Sequence, residues 1–593
     1  MKILHTKGRR KAFYLGAVIL LFLYAFRNVN QGIDVTDTGY HFSNFLYMSE
    51  MDPMWIFSTY LASVLGHFFT MLPGGDTLLG INIYTALIPA LLGVLSFVFF
   101  TKVLKQNGII TFTGVAIALS LCWCPTTCLY NYLTYLLFSA GAGFLYLGLR
   151  REKSRYMVAA GICLGMNVMV RFPNVAEAAL ILAVWFACFV RKAKWKEYVQ
   201  KAGWCLLGYL VGIGVILLQI SLQYGLEAYI AGIIRLLGMT SDASDYTLYS
   251  MIYNLIQAYI FNGKWAVCIG IGMVLGVLGF AVLPERFTKI KTVGYSVCCL
   301  VLIRWFYGQG MFSLAYDGYG AIFGWSAVAI MGALALALWM ICSRKTDENE
   351  KILSAIVIII IGITPLGSNN QLYANINHMF PVVPFILYGL QKMHTVYPER
   401  NVKLGKYSIL LTVRPVLLMA WICVIMLSVQ SVIFGNVFVF RDSVPRNTEV
   451  TEIPALANMQ TTALNAAELE ELGKYAKEAE LEGRNVLLFG DVPALSAYLR
   501  MPFVMSPWPD LSSYSNSTFE AELQNLAENM QNNRPVIIFG ADFYDFLTSQ
   551  EEDKEVAEIL QAKYGYKAAL LKGFIAEYDY QSTFENAHFV ILE

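Results

Sequence analysis

The chain has 593 residues, 57% of them hydrophobic and only 14% charged, with a net charge of +1 and a mean hydropathy of +0.53. That composition excludes a large soluble enzyme and predicts a polytopic α-helical membrane protein. No nucleic-acid partner is expected from it.

The first apolar run, Phe13 to Phe26, follows Lys7, Arg9, Arg10 and Lys11. The positive-inside bias therefore predicts a cytoplasmic N-terminus. The polar stretch from Arg27 to Tyr40 contains no small-residue cleavage site, so the run reads as an uncleaved first helix rather than a signal peptide. Further apolar runs lie near 80–101, 108–124, 129–149, 156–170, 175–190, 202–222, 264–283, 292–307, 321–342, 352–366, 377–391 and 408–435. Together they predict about thirteen transmembrane helices, several shorter than the ~20 residues of a full crossing.

Basic residues alternate with those spans. Lys102 and Lys105, Arg150 to Arg155, Arg191 to Lys201, Arg286 to Lys291, Arg344 and Lys345, and Lys392 to Lys406 fall on one side. The opposite loops carry only Arg27, Arg171, Arg235, Lys264 and Arg304. An odd number of spans follows, in the plasma membrane, with the C-terminus extracytoplasmic. The predicted domains are residues 1–435, a membrane domain whose first outer loop is 27–79, and residues 436–593, an extracytoplasmic α/β domain.

That second domain begins where the chain becomes rich in Glu, Asn, Ser and Pro, from Arg441 onward. Asn485 to Phe489 and Pro535 to Phe539 are short continuous apolar runs suited to buried parallel strands. Thr518 to Met530 and Glu555 to Tyr564 have helical periodicity, and Phe589 to Leu592 would close the sheet. Asp491 and Asp542 fall at strand carboxyl ends, where such sheets tend to bind ligands, although starting a turn or capping a helix is the favoured explanation of both.

All eleven cysteines precede this tail. Cys122, Cys124 and Cys128 cluster near a helix end, but no His or second Cys pair completes a zinc spacing, so no metal site is assigned. Gly270, Gly272 and Gly276, like Gly141 and Gly143, lie within spans and predict close helix contacts rather than phosphate loops. There is no Walker or dinucleotide motif, and no cofactor is called for.

Attention then falls on the first outer loop, which opens with Asp34 and Asp37 in NQGIDVTDTGYHFSN. A carboxylate here suits removal of a proton from an acceptor hydroxyl or amine, or the holding of a cation. Both residues equally suit capping of a helix that starts near Thr38. Phe42, Phe45, Trp55, Ile56 and Tyr60 beyond them predict short helices in the membrane interface.

Topology and motif together resemble polytopic glycosyltransferases of the GT-C type, which take sugars from polyprenyl-phosphate carriers. Asp37-Thr38-Gly39-Tyr40 is similar to the acid-x-x-Tyr pattern of oligosaccharyltransferase catalytic subunits and to the first-loop acids of protein mannosyltransferases. The span number and the outer C-terminal domain resemble bacterial aminoarabinose transferases. The resemblance implies a cell-envelope enzyme in which Asp37, with Asp34 beside it, acts as catalytic base and Tyr40 lies in the site. It implies a polyprenyl-phosphate-linked sugar as donor, with a lipid, glycan or protein as acceptor and membrane lipids as surroundings. The second outer loop, Pro125 to Asn131, lacks the acid that oligosaccharyltransferases use for metal, so no metal is carried over.

A departing lipid phosphate calls for outward cations. Arg304 lies within an apolar run, where a charge costs ~2.5–3.5 kcal/mol on insertion scales, and is set first; snorkelling to the interface is its alternative. Arg171 and Lys264 follow it. In GSNNQLYANINH, residues 367–378, Asn370 and its neighbours Asn369 and Asn375 offer hydrogen bonds to sugar hydroxyls, as a plain polar turn also would. His378 opens an apolar run and is a further binding candidate, and Asp317 ranks below Asp37. A transporter or flippase for a lipid-linked glycan, and a noncatalytic subunit of surface-polysaccharide assembly, are the alternative functions.

Overall fold

A computed structural model describes residues 7–122, 129–238, 248–282, 287–313, 319–367, 370–404, 407–437, 446–507, 511, 515–530, 534–548 and 554–593. In chain order the first part consists of α1 (Lys7–Tyr24), α2 (Asp37–Leu46), α3 (Pro53–Ser58), α4 (Tyr60–Thr70), α5 (Leu78–Val98), α6 (Gly108–Leu121), α7 (Leu129–Arg151) and α8 (Ser154–Val168). A 3-10 helix, Phe172–Leu180, leads into α9 (Ile181–Val190). Then come α10 (Trp195–Gln223), α11 (Leu226–Leu237), α12 (Leu248–Val282), α13 (Thr288–Gly308), α14 (Tyr319–Cys342), α15 (Glu348–Ile363), α16 (Tyr373–Asn377) and α17 (Val382–Val396). A hairpin of β1 (Arg400–Leu404) and β2 (Tyr407–Leu411) precedes α18 (Arg414–Val437).

Eight helical segments among the described residues are long and apolar enough to cross a membrane: 78–103, 129–151, 172–190, 195–223, 249–282, 288–308, 320–342 and 414–433. The other predicted runs fall in α1, α6, α8, α15 and α17, which are shorter or carry more charge, so eight crossings rather than thirteen meet the length criterion. The chain is an integral membrane protein. Leu207, Leu210, Val274, Leu275, Val297 and Leu300 on α10, α12 and α13 are exposed, as residues facing hydrocarbon are.

Small residues set the closest helix contact. Gly161 and Gly165 of α8 meet Gly208 and Gly212 of α10, and a methyl group on Gly161 would stand 2.1 Å from the Cys205 carbonyl oxygen. This is small-xxx-small packing on both partners. The predicted glycine contacts are mixed: Gly276 abuts Tyr295 and Pro415, whereas nothing lies within 4 Å of a methyl group added at Gly270.

The tail carries β3 (Thr448–Glu449), β4 (Gln460–Thr461), α19 (Ala463–Glu478), β5 (Val486–Phe489), α20 (Leu495–Tyr498), α21 (Asn516–Asn529), β6 (Val536–Gly540), α22 (Ala541–Thr548), α23 (Lys554–Glu577), β7 (Ser582–Glu585) and β8 (Phe589–Leu592). Its sheet has the order β5-β6-β8-β7. Val486 to Phe489 pair in parallel with Val536 to Phe539, while β8 runs antiparallel to both β6 and β7. Every residue of β5, β6 and β8 is buried, which is why these segments read as uninterrupted apolar runs.

The first outer loop differs from the interfacial helices expected there. Met54, Trp55, Ile56, Phe57 and Tyr60 are all buried inside the protein. The amphipathic α11 covers α3, and Arg235 pairs with Asp52 at 3.0 Å.

Candidate functional site

Asp34 starts the site by shaping it. Its Oδ1 accepts from the backbone N–H of Thr36 at 3.0 Å and from the Thr36 hydroxyl at 2.6 Å, and its Oδ2 accepts from the Thr38 N–H at 2.9 Å. The Thr38 amide is one of the first-turn donors that a helix leaves unpaired. Asp34 thus caps α2 from just outside it, an arrangement worth ~1 kcal/mol by the usual cost of losing a cap. Asp37 is the first residue of that helix, half-buried, where a negative charge is favoured by the helix dipole.

The 3.6-residue period gives α2 two working faces. Gly39 and Ser43 meet the C-terminal domain: Ser43 donates to the Pro493 carbonyl at 2.8 Å, and a methyl group on Gly39 would lie 1.9 Å from Cβ of Ala494. Asp37, His41 and Phe45 succeed one another at four-residue intervals on the other face. His41 stands over Tyr130, at the start of α7, with ring centroids 4.8 Å apart. Burial pushes its imidazole down to about 4, so it is neutral at pH 7.

Tyr130 has a second neighbour. The guanidinium carbon of Arg171 lies 5.8 Å from the Tyr130 ring centroid, a cation–π distance. Arg171 precedes the 3-10 helix, and its Nε is buried with no hydrogen-bond partner among the described residues. A buried donor left unpaired costs ~1–3 kcal/mol, and an anion's oxygen removes that penalty. The structure therefore brings His41 and Arg171 to one aromatic ring, that of Tyr130, with Asp37 one helical turn from His41 on the same face of α2. His41 and Tyr130 were not singled out from the sequence; the i, i+4 spacing from Asp37 was the available signal for His41.

Tyr40 is buried and turned toward the C-terminal domain. Burial raises its phenol to about 12, partly offset by the side chains of Asn44 and Ser506 beside it. His378 stacks on Tyr135 at 4.8 Å and shares a 2.8 Å hydrogen bond with Ser139. Ser139 is nine residues along α7 from Tyr130, roughly 13 Å at 1.5 Å per residue, so His378 sits deeper in the bundle than the patch. Asn370 is exposed. Lys264 lies within the long α12 rather than ahead of a span, its ammonium over Phe261 and Trp265. Arg304, near the end of α13, is exposed and covers Tyr307 at 5.2 Å, while α13 packs on α12 and α18. Asp317, Asn369, Cys124, Cys128 and most of the second outer loop lie outside the described residues.

A cavity of about 340 Å³ opens where residues 33–36 meet the carboxyl ends of β5 and β6, and Asp491, Asp542, Glu468 and His588 line it. Glu468 is hydrogen-bonded to His588 Nδ1. Asp491 occupies a left-handed turn at φ 63°, and Asp542 lies in the first turn of α22. Among the described residues, no group of three or more His, Cys, Asp or Glu side chains is arranged to hold a metal ion.

No family model and no curated protein matches the chain. Among solved structures it is similar to the archaeal oligosaccharyltransferase AglB from Archaeoglobus fulgidus in complex with an inhibitory peptide and a dolichol-phosphate. That match has 14% identity and a TM-score of 0.45, over 91% of this chain and 71% of that one. The Archaeoglobus fulgidus oligosaccharyltransferase complexed with Zn and sulfate gives 14% identity and a TM-score of 0.46, over 92% and 70%. ArnT from Cupriavidus metallidurans bound to undecaprenyl phosphate gives 11% and 0.41, over 99% and 98%. At such identities and scores these are likenesses of outline alone.

Proposed function

We propose that the chain is a GT-C type membrane glycosyltransferase that moves a sugar from a polyprenyl-phosphate-linked donor to an acceptor on the extracytoplasmic side of the plasma membrane. The observation that carries this reading is the common patch. His41, one turn along α2 from the Asp37 carboxylate, and Arg171, a cation with an unsatisfied buried donor, both stand against Tyr130.

In the reaction, Asp37 takes the proton of the acceptor hydroxyl or amine as that atom bonds to the anomeric carbon. The bond from that carbon to the phosphate oxygen breaks on the opposite face, inverting the centre, and the leaving lipid phosphate departs beside Arg171. A planar guanidinium with an unfilled N–H suits that developing charge. His41, neutral at pH 7, adds no competing positive charge to the base.

Orientation is supported by the loop charges and by a shared location. Gly32 donates to the Gln460 carbonyl and Gln460 to the Asn30 carbonyl, so the first loop and the C-terminal domain lie at one end of the molecule. With the N-terminus cytoplasmic, that end is outside. The test is Asp37→Asn: transfer from a purified lipid-linked sugar is lost while the protein remains in the membrane, and full activity in that variant overturns the assignment.

A further inference from the structure

The C-terminal domain grips the first outer loop along its length. Tyr498, 1% exposed, donates its hydroxyl to the backbone carbonyl of Asp34 at 2.7 Å. Ala494 N–H donates to the Val35 carbonyl at 3.0 Å. Ser43 Oγ donates to the Pro493 carbonyl and accepts from Ala497 N–H at 3.2 Å. Gly39 has no side chain, and this lets α2 lie directly on Ala494.

These contacts converge on the residue that shapes the helix start. Asp34 is held through its carbonyl by Tyr498, and through its carboxylate it holds Thr36 and Thr38, on either side of Asp37. We propose that the C-terminal domain is a positioning element of the reaction centre, with Tyr498 as its principal residue: by fixing Asp34 it fixes the start of α2, and with it the place of Asp37 and the approach of His41 to Tyr130. Tyr498 is a positioning residue and touches no reacting atom. Burial beside Asp34 raises its phenol well above the ordinary range, so it stays a donor at any working pH. Near-attack geometry is steep in distance, so loosening this contact falls on turnover more than on donor binding at Arg171.

The proposal rests on the reading of Asp37 as base, and the test separates the two. The full-length protein in lipid nanodiscs is compared with Tyr498→Phe, which keeps the ring and removes only the hydroxyl, and with Ser43→Ala, which releases α2 at a second point. Hydrogen exchange over residues 35–41 reads the grip without any substrate, and kcat and KM are measured with a polyprenyl-phosphate-linked sugar. Faster exchange in that segment in both variants is expected, with kcat lowered roughly tenfold and KM for the donor within about twofold. Unchanged exchange in both variants overturns the grip, and faster exchange with unchanged kcat overturns the positioning role. Faster exchange in the variants of a protein that transfers no sugar even as wild type upholds the grip and overturns the glycosyltransferase reading instead.

Discussion

The imidazole of His41 and the phenol ring of Tyr130 lie 4.8 Å apart, inclined at 50°. This pair joins the first outer loop to the bundle, because His41 belongs to α2 and Tyr130 to the first turn of α7, and Arg171 also lies over the Tyr130 ring. The helix that carries Asp37 and the cation Arg171, far apart in sequence, thus meet at one aromatic ring.

The buried imidazole sets a pH dependence. An unfolded His titrates near 6.5 and the folded His41 near 4, so between those values the folded state binds fewer protons than the unfolded one. Stability from this group is full above pH 6.5 and declines as pH falls toward 4. Thermal melting in nanodiscs is expected to drop across that window, and His41→Phe is expected to flatten part of the drop.

Asp34 and Asp37 separate by role. Asn at position 34 keeps one acceptor for a cap that uses both carboxylate oxygens, and Ala keeps none, costing ~1 kcal/mol. Asp34→Asn is expected to retain measurable transfer, with kcat lowered roughly three- to tenfold, and Asp34→Ala to fall below it. Single-turnover assays on membranes matched for protein content check the order.

Arg171 is the cation to change first. Arg171→Ala is expected to raise KM for the lipid-linked donor by roughly ten- to a hundredfold, because a charge-assisted contact is lost. Arg171→Lys restores the charge but not the planar stack on Tyr130, and is expected to recover only part. Arg304→Ala, on an exposed helix end, is expected to leave KM within twofold.

Much of this was legible in the sequence. The apolar runs marked the helices, and continuous runs at 485–489 and 535–539 marked the parallel strands because both faces of that sheet are covered. The acid pair stood out by its place after the first helix. What could not be read was which cation shares an aromatic ring with α2. Arg304 drew notice because it interrupts an apolar run, yet that run ends at an exposed aromatic neighbour, whereas Arg171 gains its place through the fold of α7 against α8. The grip of Tyr498 on Asp34 joins residues 464 positions apart and leaves no periodic trace. Trp55 and Tyr60 suggested an interface from composition alone, and only the covering α11 buries them.

Gly39 tests the docking of the two domains directly. A methyl group there overlaps Ala494, and that contact includes backbone atoms that cannot swing aside. Gly39→Ala is expected to destabilise the protein by ~1–3 kcal/mol, as overpacking does, and to lower kcat with it. Gly263→Ala in α12, where nothing lies within 4 Å of the added methyl group, is the control and is expected not to lower the melting temperature.

The central claim is that Asp37 removes the acceptor's proton. The most direct measurement is the rate of sugar transfer from a purified polyprenyl-phosphate-linked donor by Asp37→Asn, with the amount and melting temperature of the protein recorded on the same samples. Loss of transfer to background, with protein level and melting temperature kept, is the predicted result. Transfer at the wild-type rate in a properly folded Asp37→Asn protein would contradict it.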